Sequence, residues 1–148
     1  MNSLNKDILL GTAIGDALGL PIQFLEREVV AKNPITTMEG LDQFNVPAGT
    51  LSFCLAESLC NGYDLNDIIN KFTKWMYEDY WTPANETFDI NYINYFTIVN
   101  LRNNGSPHVA GIDNKRGNRD GSLMRILPLV PYILNMEEEN RFRIIKEI

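Results

Sequence analysis

The chain has 148 residues, a formal net charge of -6, 45% hydrophobic and 22% charged residues, and a pI near 4.7. This predicts one soluble domain over residues 1–148, long enough to bury roughly 68–70% of its unfolded surface without disulfides or structural zinc. The acidic balance argues against nucleic-acid and membrane partners, since both need clustered Lys and Arg to neutralise phosphates.

The densest basic stretch, Lys115, Arg116, Arg119 and Arg125, is interrupted by Asp113 and Asp120. It suits at most one small anionic ligand. Cys54 and Cys60 lie six residues apart in a helical pattern, which separates their Cα atoms by about 9 Å, beyond the ~7 Å a disulfide tolerates. Both read as reduced core thiols, and the expected location is cytoplasmic. The apolar run Ile8 to Leu20 is interrupted by Asp16 and has no basic leader, so it reads neither as a membrane span nor as a signal peptide.

Helical periodicity dominates. The first predicted helix runs from about Leu4 to Leu20, with Leu10, Ala13, Ile14, Ala17 and Leu18 at core spacing and Pro21 at its end. Gly11, Gly15 and Gly19 recur every four residues in it. They cost the helix about 2–3 kcal/mol relative to alanine, which predicts either a close helix contact on that face or a ligand approaching the backbone near Asp16.

Residues Glu26 to Thr50 read as a long loop with Pro34, Gly40, Pro47 and Gly49. Leu51, Cys54, Leu55, Ser58 and Leu59 then follow the i, i+3, i+4, i+7, i+8 pattern up to the turn signal Asn61-Gly62. Asp64 is placed to cap the next helix, whose buried stripe is Leu65, Ile68, Ile69, Phe72, Trp75 and Met76. Trp81-Thr82-Pro83 breaks it.

Ile90, Ile93, Thr97 and Leu101 share one face of a further helix ending near Asn104-Gly105, and a polar loop follows from Ser106 to Gly121. Ser122 to Leu134 contains Pro128 and Pro131 and must be a kinked helix or two short ones. The last pattern, Glu137 to Ile148, puts Phe142, Ile145 and Ile148 on one face, and it stops mid-pattern. No useful strand alternation appears, so the expected fold is all-α, an orthogonal helical bundle.

Three segments go beyond generic helix content: Gly15-Asp16-Ala17-Leu18-Gly19-Leu20-Pro21, Tyr80-Trp81-Thr82-Pro83 with Phe88-Asp89-Ile90, and Gly121-Ser122-Leu123-Met124-Arg125-Ile126-Leu127-Pro128-Leu129. In this order and spacing they resemble the ADP-ribosylglycohydrolase family of the dinitrogenase-reductase-activating type. Pro47-Ala48-Gly49-Thr50 and Leu55-Ala56-Glu57-Ser58-Leu59 extend the resemblance over essentially the whole chain. It implies an all-helical domain with a cleft for ADP-ribose beside two Mg2+ ions. The implied reaction is hydrolysis of the bond between the ribose and a protein side chain or small leaving group. Magnesium wants octahedral oxygen ligands, and a pair of ions activates water while clamping hydroxyls.

The sequence departs from the family pattern three times. Gln23 stands where the family has a Glu, and an amide brings no charge and no basicity. Thr50 passes directly to Leu51-Ser52-Phe53, where the family inserts a Trp-Ser-Asp-Asp-Thr-like stretch that supplies metal ligands. The second Asp-x-Asp-Asp-Thr-type motif and the His-bearing helix are missing, so the chain is expected to match only the family's N-terminal half. Gln23 and Thr50 thus mark degenerate metal-site positions, and no cofactor is expected for this chain although Mg2+ serves the family.

The residues that match carry two readings each. Asp16 is either a structural hydrogen-bond acceptor, the favoured reading, or a catalyst. Asp89 either faces the substrate ribose or caps the helix from Ile90 onward. Gly121 and Ser122 match the loop that brings backbone amides to the diphosphate, and Met124 and Arg125 belong to the same string. Arg125 either contacts phosphate or makes a salt bridge inside the fold. Asp120 replaces the usual Asn and adds a negative charge there, and His108 reads as a solvated side chain.

The resemblance therefore implies an ADP-ribosylglycohydrolase-family protein that is catalytically weak or inactive. The alternatives are a non-catalytic binder of ADP-ribose or ADP-ribosylated substrate, and an inert scaffold. A bundle without its second half is also expected to self-associate or to take a partner over the exposed face.

Overall fold

The core forms around one short helix, α3 (Thr50–Leu59), whose residues Thr50, Leu51, Ser52, Cys54, Leu55, Ser58 and Leu59 are all buried. A helix buried on most of its circumference must be central. In the computed structural model, which describes residues 3–34, 49–82, 87, 90–104, 110 and 121–148, the remaining elements are arranged about it. They are α1 (Ser3–Gly19), a 3-10 turn (Leu20–Ile22), α2 (Arg27–Lys32), α4 (Leu65–Glu78), α5 (Tyr92–Asn104), α6 (Gly121–Ile126), α7 (Leu129–Ile133) and α8 (Glu138–Glu147). α3 packs against α1, α4, α6 and α7, and α5 packs against α4 and α6. Among the described residues there is no strand. The fold is all-α.

The core joins Leu51, Cys54, Leu55 and Leu59 of α3 to Ile68, Phe72 and Trp75 of α4, with Ile98, Leu129, Ile133 and Ile144 from α5, α7 and α8. The α4 stripe is thus core rather than a binding platform. Its N-terminus is fixed as the spacing requires: Asp64 Oδ1 accepts from the amides of Asn66 at 2.9 Å and Asp67 at 3.4 Å. α3 ends at a left-handed Gly62 (φ 103°), a conformation that costs glycine nothing. α4 stops at Glu78, three residues before the expected break. Its cap, Asp79, is itself left-handed (φ 55°) and is held by Thr87, whose amide and hydroxyl both donate to Asp79 Oδ1 at 2.8 Å.

The two prolines of 122–134 resolve into two short helices. Pro128 stands at the N-cap of α7, and Pro131 lies in its first turn, where amides lack an intrahelical acceptor anyway.

Five expectations are corrected. The stretch from Glu26 to Thr50 is not all loop, because α2 forms with Glu28 in its first turn and Lys32 in its last, both favourable to the helix dipole. Six residues are too few to show a periodic stripe. Among the described side chains of α1 only Ala17 is buried, while Leu10 and Ile14 are about half exposed (Ile14 51%).

No described heavy atom lies within 4 Å of a Cβ built on Gly11, Gly15 or Gly19. Among the described residues no other element packs closely on the glycine face. Cys60 is exposed, because it lies past the end of α3 while Cys54 is inside. In α8 the buried residue is Ile144 (2% exposed), whereas Phe142 is 63% exposed. The core takes the 144/148 edge of that helix instead of the 142/145 edge.

No described helix is long and apolar enough to cross a membrane. Leu55, with no solvent exposure at the centre of α3, sets the test of this architecture. Leu55→Ala is expected to lower unfolding stability by about 2–5 kcal/mol, read as a fall in the urea midpoint at unchanged slope.

Candidate functional site

Two polar assemblies hold the positions singled out by the sequence. The first lies where α1, α3 and α4 meet. Asp16 Oδ2 accepts the Gly49 amide at 2.8 Å, so Asp16 acts as the structural acceptor expected of it. The approach is close: a Cβ on Gly49 would sit 2.5 Å from Asp16 Oδ2, so a larger residue there would displace the carboxylate. Ser52 Oγ donates to the Gly49 carbonyl. Thr50 is buried, and its Oγ1 accepts the indole N–H of Trp75 at 2.7 Å. Gln23 closes the 3-10 turn, its amide donating to the Leu20 carbonyl at 3.2 Å.

The second assembly lies between α5 and α6. Asn91 caps α5, its Oδ1 accepting the Asn94 amide at 2.9 Å. The α5 cap is therefore Asn91. The Asn91 side chain also lies against α6, where a Cβ on Gly121 would fall 2.8 Å from Oδ1. Arg125 is buried (8% exposed). It donates to Asn94 Oδ1 at 2.6 Å and to the main-chain oxygen of Ile148 at 3.1 Å. Ser122 is exposed and Met124 half-buried.

Asn91 and Asn94 went unnoticed in the sequence, although an Asn three residues before another polar residue at a helix start is a capping signal. Asp89, His108, Asp113, Lys115, Arg116, Arg119 and Asp120 lie outside the described residues.

Burial governs the electrostatics. It raises the Asp16 carboxyl above the usual aspartate range, and the Gly49 amide only partly opposes it. It lowers the Arg125 guanidinium. It also pushes the Cys54 thiol up to about 12, with Glu57 adding to the effect, which leaves that thiol unreactive near neutral pH. On the outer side of α3, Glu57 accepts from Trp81 Nε1 at 3.0 Å and Tyr80 Oη at 2.9 Å, and pairs with Lys71 at 3.3 Å. These bonds, that from Trp81 first, hold its carboxyl below its ordinary range.

The model of the family described as ADP-ribosylglycohydrolase matches residues 5–148. The chain belongs to the ADP-ribosylglycohydrolase family. Comparison with curated proteins and with solved structures gave no match.

Magnesium ions in an ADP-ribosylglycohydrolase need several anionic oxygens converging from distant parts of the chain. The described donor set does not supply them. No three Asp, Glu, His or Cys residues among the described residues could hold one ion. Asp16 accepts the Gly49 amide, the Thr50 hydroxyl accepts from Trp75, and Gln23 is neutral. This ADP-ribosylglycohydrolase chain is therefore assigned no metal-routed step.

Asp16 gives a pH test. A carboxyl with a raised folded pKa favours the protonated folded state. Its contribution is thus fully present at low pH and lost as pH rises through the folded pKa. Asp16→Asn keeps an oxygen for the Gly49 amide and removes the charge. Urea midpoints between about pH 4 and pH 7 are expected to show that loss in the natural chain and not in the variant.

Proposed function

We propose that this chain keeps the ADP-ribosylglycohydrolase scaffold, hydrolyses ADP-ribose linkages weakly or not at all, and retains capacity to bind ADP-ribose or an ADP-ribosylated protein. The observation that carries this reading is the Trp75–Thr50 hydrogen bond at 2.7 Å. At the position where the family pattern turns to metal ligands, the threonine oxygen is buried under an indole, and the next residue is the core side chain of Leu51.

Losing the metals removes a Lewis acid and an activated water together. That is several kcal/mol of transition-state stabilisation, or about a thousand-fold or more in rate. Asp89 does not replace both functions. No cofactor is assigned in this reading.

Binding is proposed at the start of α6, with Gly121 and Ser122 toward the diphosphate and Asp89 toward the ribose. Met124 and Arg125 support it from the inner side of the same helix. The two free cysteines accord with a cytoplasmic setting, and the family match over residues 5–148 accords with one domain.

Incubation with an ADP-ribosylated protein and millimolar magnesium is expected to release no more ADP-ribose than buffer alone. Magnesium-dependent release overturns the reading. In the same preparation, ADP-ribose at 100 times its dissociation constant adds about 2.7 kcal/mol, raising the melting temperature by roughly 5–10 °C. An unmoved melting temperature at millimolar ADP-ribose instead leaves the inert scaffold.

The proposed self-association is supported by Val130 and Leu134 around α7 and Phe142 and Ile145 on α8, exposed side chains that line one groove. Light scattering at micromolar concentrations is expected to show species larger than the monomer, and a monodisperse monomer removes this part of the proposal.

A further inference from the structure

The outer side of α3 carries a cavity of about 340 Å³, bounded by α1 on one side and α7 on the other. That volume is at the lower end of the small-molecule range of roughly 300–1,000 Å³. Three aromatic residues line it: Phe53 from α3, Trp81 from the turn after α4, and Tyr132 from α7, with Pro128 and Pro131 beside them. The rings of Phe53 and Trp81 have centroids 5.6 Å apart and planes inclined by 33°. Among the described lining residues Glu57 is the one charged group, and none is Lys or Arg.

Trp81 is the unusual member. It is held at φ 63°, a left-handed conformation that is an outlier for so bulky a residue. Burial does not explain it, because the residue is 49% exposed. Its indole N–H donates to Glu57 at 3.0 Å, so the strained turn sets an indole and a carboxylate side by side in the cavity wall. Backbone held in this way is concentrated at ligand clamps and active sites.

The Glu57 carboxylate also accepts from Tyr80 and pairs with Lys71, and these bonds keep it ionised at neutral pH. Lys71 is shared with Asp67 at 3.8 Å, so two acids and one ammonium leave the group net negative. Aromatic rings are negative over their faces, and the rings and the carboxylate therefore favour a cation together. A ligand with N–H donors would have to displace the existing bonds to reach Glu57. A quaternary ammonium has no N–H. It is attracted by ring faces within about 6 Å and needs no hydrogen bond, and its methyl groups suit the apolar wall.

We propose that this cavity binds a small molecule with a quaternary ammonium head, seated against Phe53, Trp81 and Tyr132 beside Glu57. None of Gly121, Ser122, Met124 and Arg125 lines it, so the site is separate from the proposed ADP-ribose position.

The test titrates the full chain with choline, with dimethylbutanol as its uncharged carbon isostere, and with ethanolamine, which keeps the charge and carries N–H donors. The chain has two tryptophans, and only Trp81 lines the cavity, so its Nε1–H resonance in nitrogen-15 spectra reports occupancy. Millimolar choline is expected to shift that resonance, and both comparison ligands are expected to bind on the order of tenfold more weakly. Ala56→Leu adds bulk to the half-buried cavity wall. It is expected to weaken choline on the order of tenfold, as lost pocket volume would, while the helical circular dichroism is retained.

Glu57→Gln removes the charge and keeps an acceptor for Trp81 and Tyr80. It is expected to narrow the gap between choline and dimethylbutanol. Four outcomes overturn the proposal: no choline binding at millimolar concentration, equal binding of choline and either comparison ligand by the natural chain, choline binding undiminished in a folded Ala56→Leu, or an unchanged gap in Glu57→Gln. Cosedimentation with phosphatidylcholine vesicles by a chain that does not bind choline also overturns it, by placing the head group on a lipid.

Discussion

The hydrogen bond from the Trp75 indole to Thr50 Oγ1 is the contact on which the described structure turns. Trp75 has no solvent exposure, so its N–H must find a protein acceptor, and an unmet one would cost about 1–3 kcal/mol. Thr50 is the first residue of α3. Satisfying the indole therefore fixes where the central helix begins and how it lies on α4. The preceding residue, Gly49, is then brought beneath Asp16, which ties α1 to the same point. One buried donor sets the relation of three helices.

The same bond places two kinds of demand on one hydroxyl. As scaffold, the threonine oxygen must face inward to the tryptophan. In the proposed reading, a metal role would need it to face a cluster of carboxylates instead. Asp16 supplies an acceptor to backbone, and the polar contacts between α5 and α6 are made by amides and a guanidinium. Among the described residues, the polar interior between α5 and α6 is built from hydrogen-bonded amides and one buried guanidinium.

The sequence revealed those parts of the fold that repeat at short range. The α3 and α4 stripes are legible because Leu51, Cys54, Leu55, Ile68, Phe72 and Trp75 fall at helical spacing and are all buried. The Asp64 cap needs only residues two and three positions away. What sequence does not disclose depends on distance. That Asp16 accepts a hydrogen bond could be anticipated, but its donor, Gly49, is 33 residues on. Arg125 allowed two readings because its partner Asn94 is 31 residues earlier and carries no charge to mark it. The burial of Ile144 rather than Phe142 is likewise set by which neighbours α8 meets, since both faces of that helix are hydrophobic enough to serve.

The absent side chain at Gly49, together with the tryptophan above Thr50, makes the junction into α3 intolerant of change. Inserting residues after Thr50 would separate the glycine turn from the helix it starts. It would also displace Leu51 from the core and leave an indole searching for an acceptor. Each change is unfavourable by itself. The start of α3 is therefore a place where the chain tolerates inserted residues poorly.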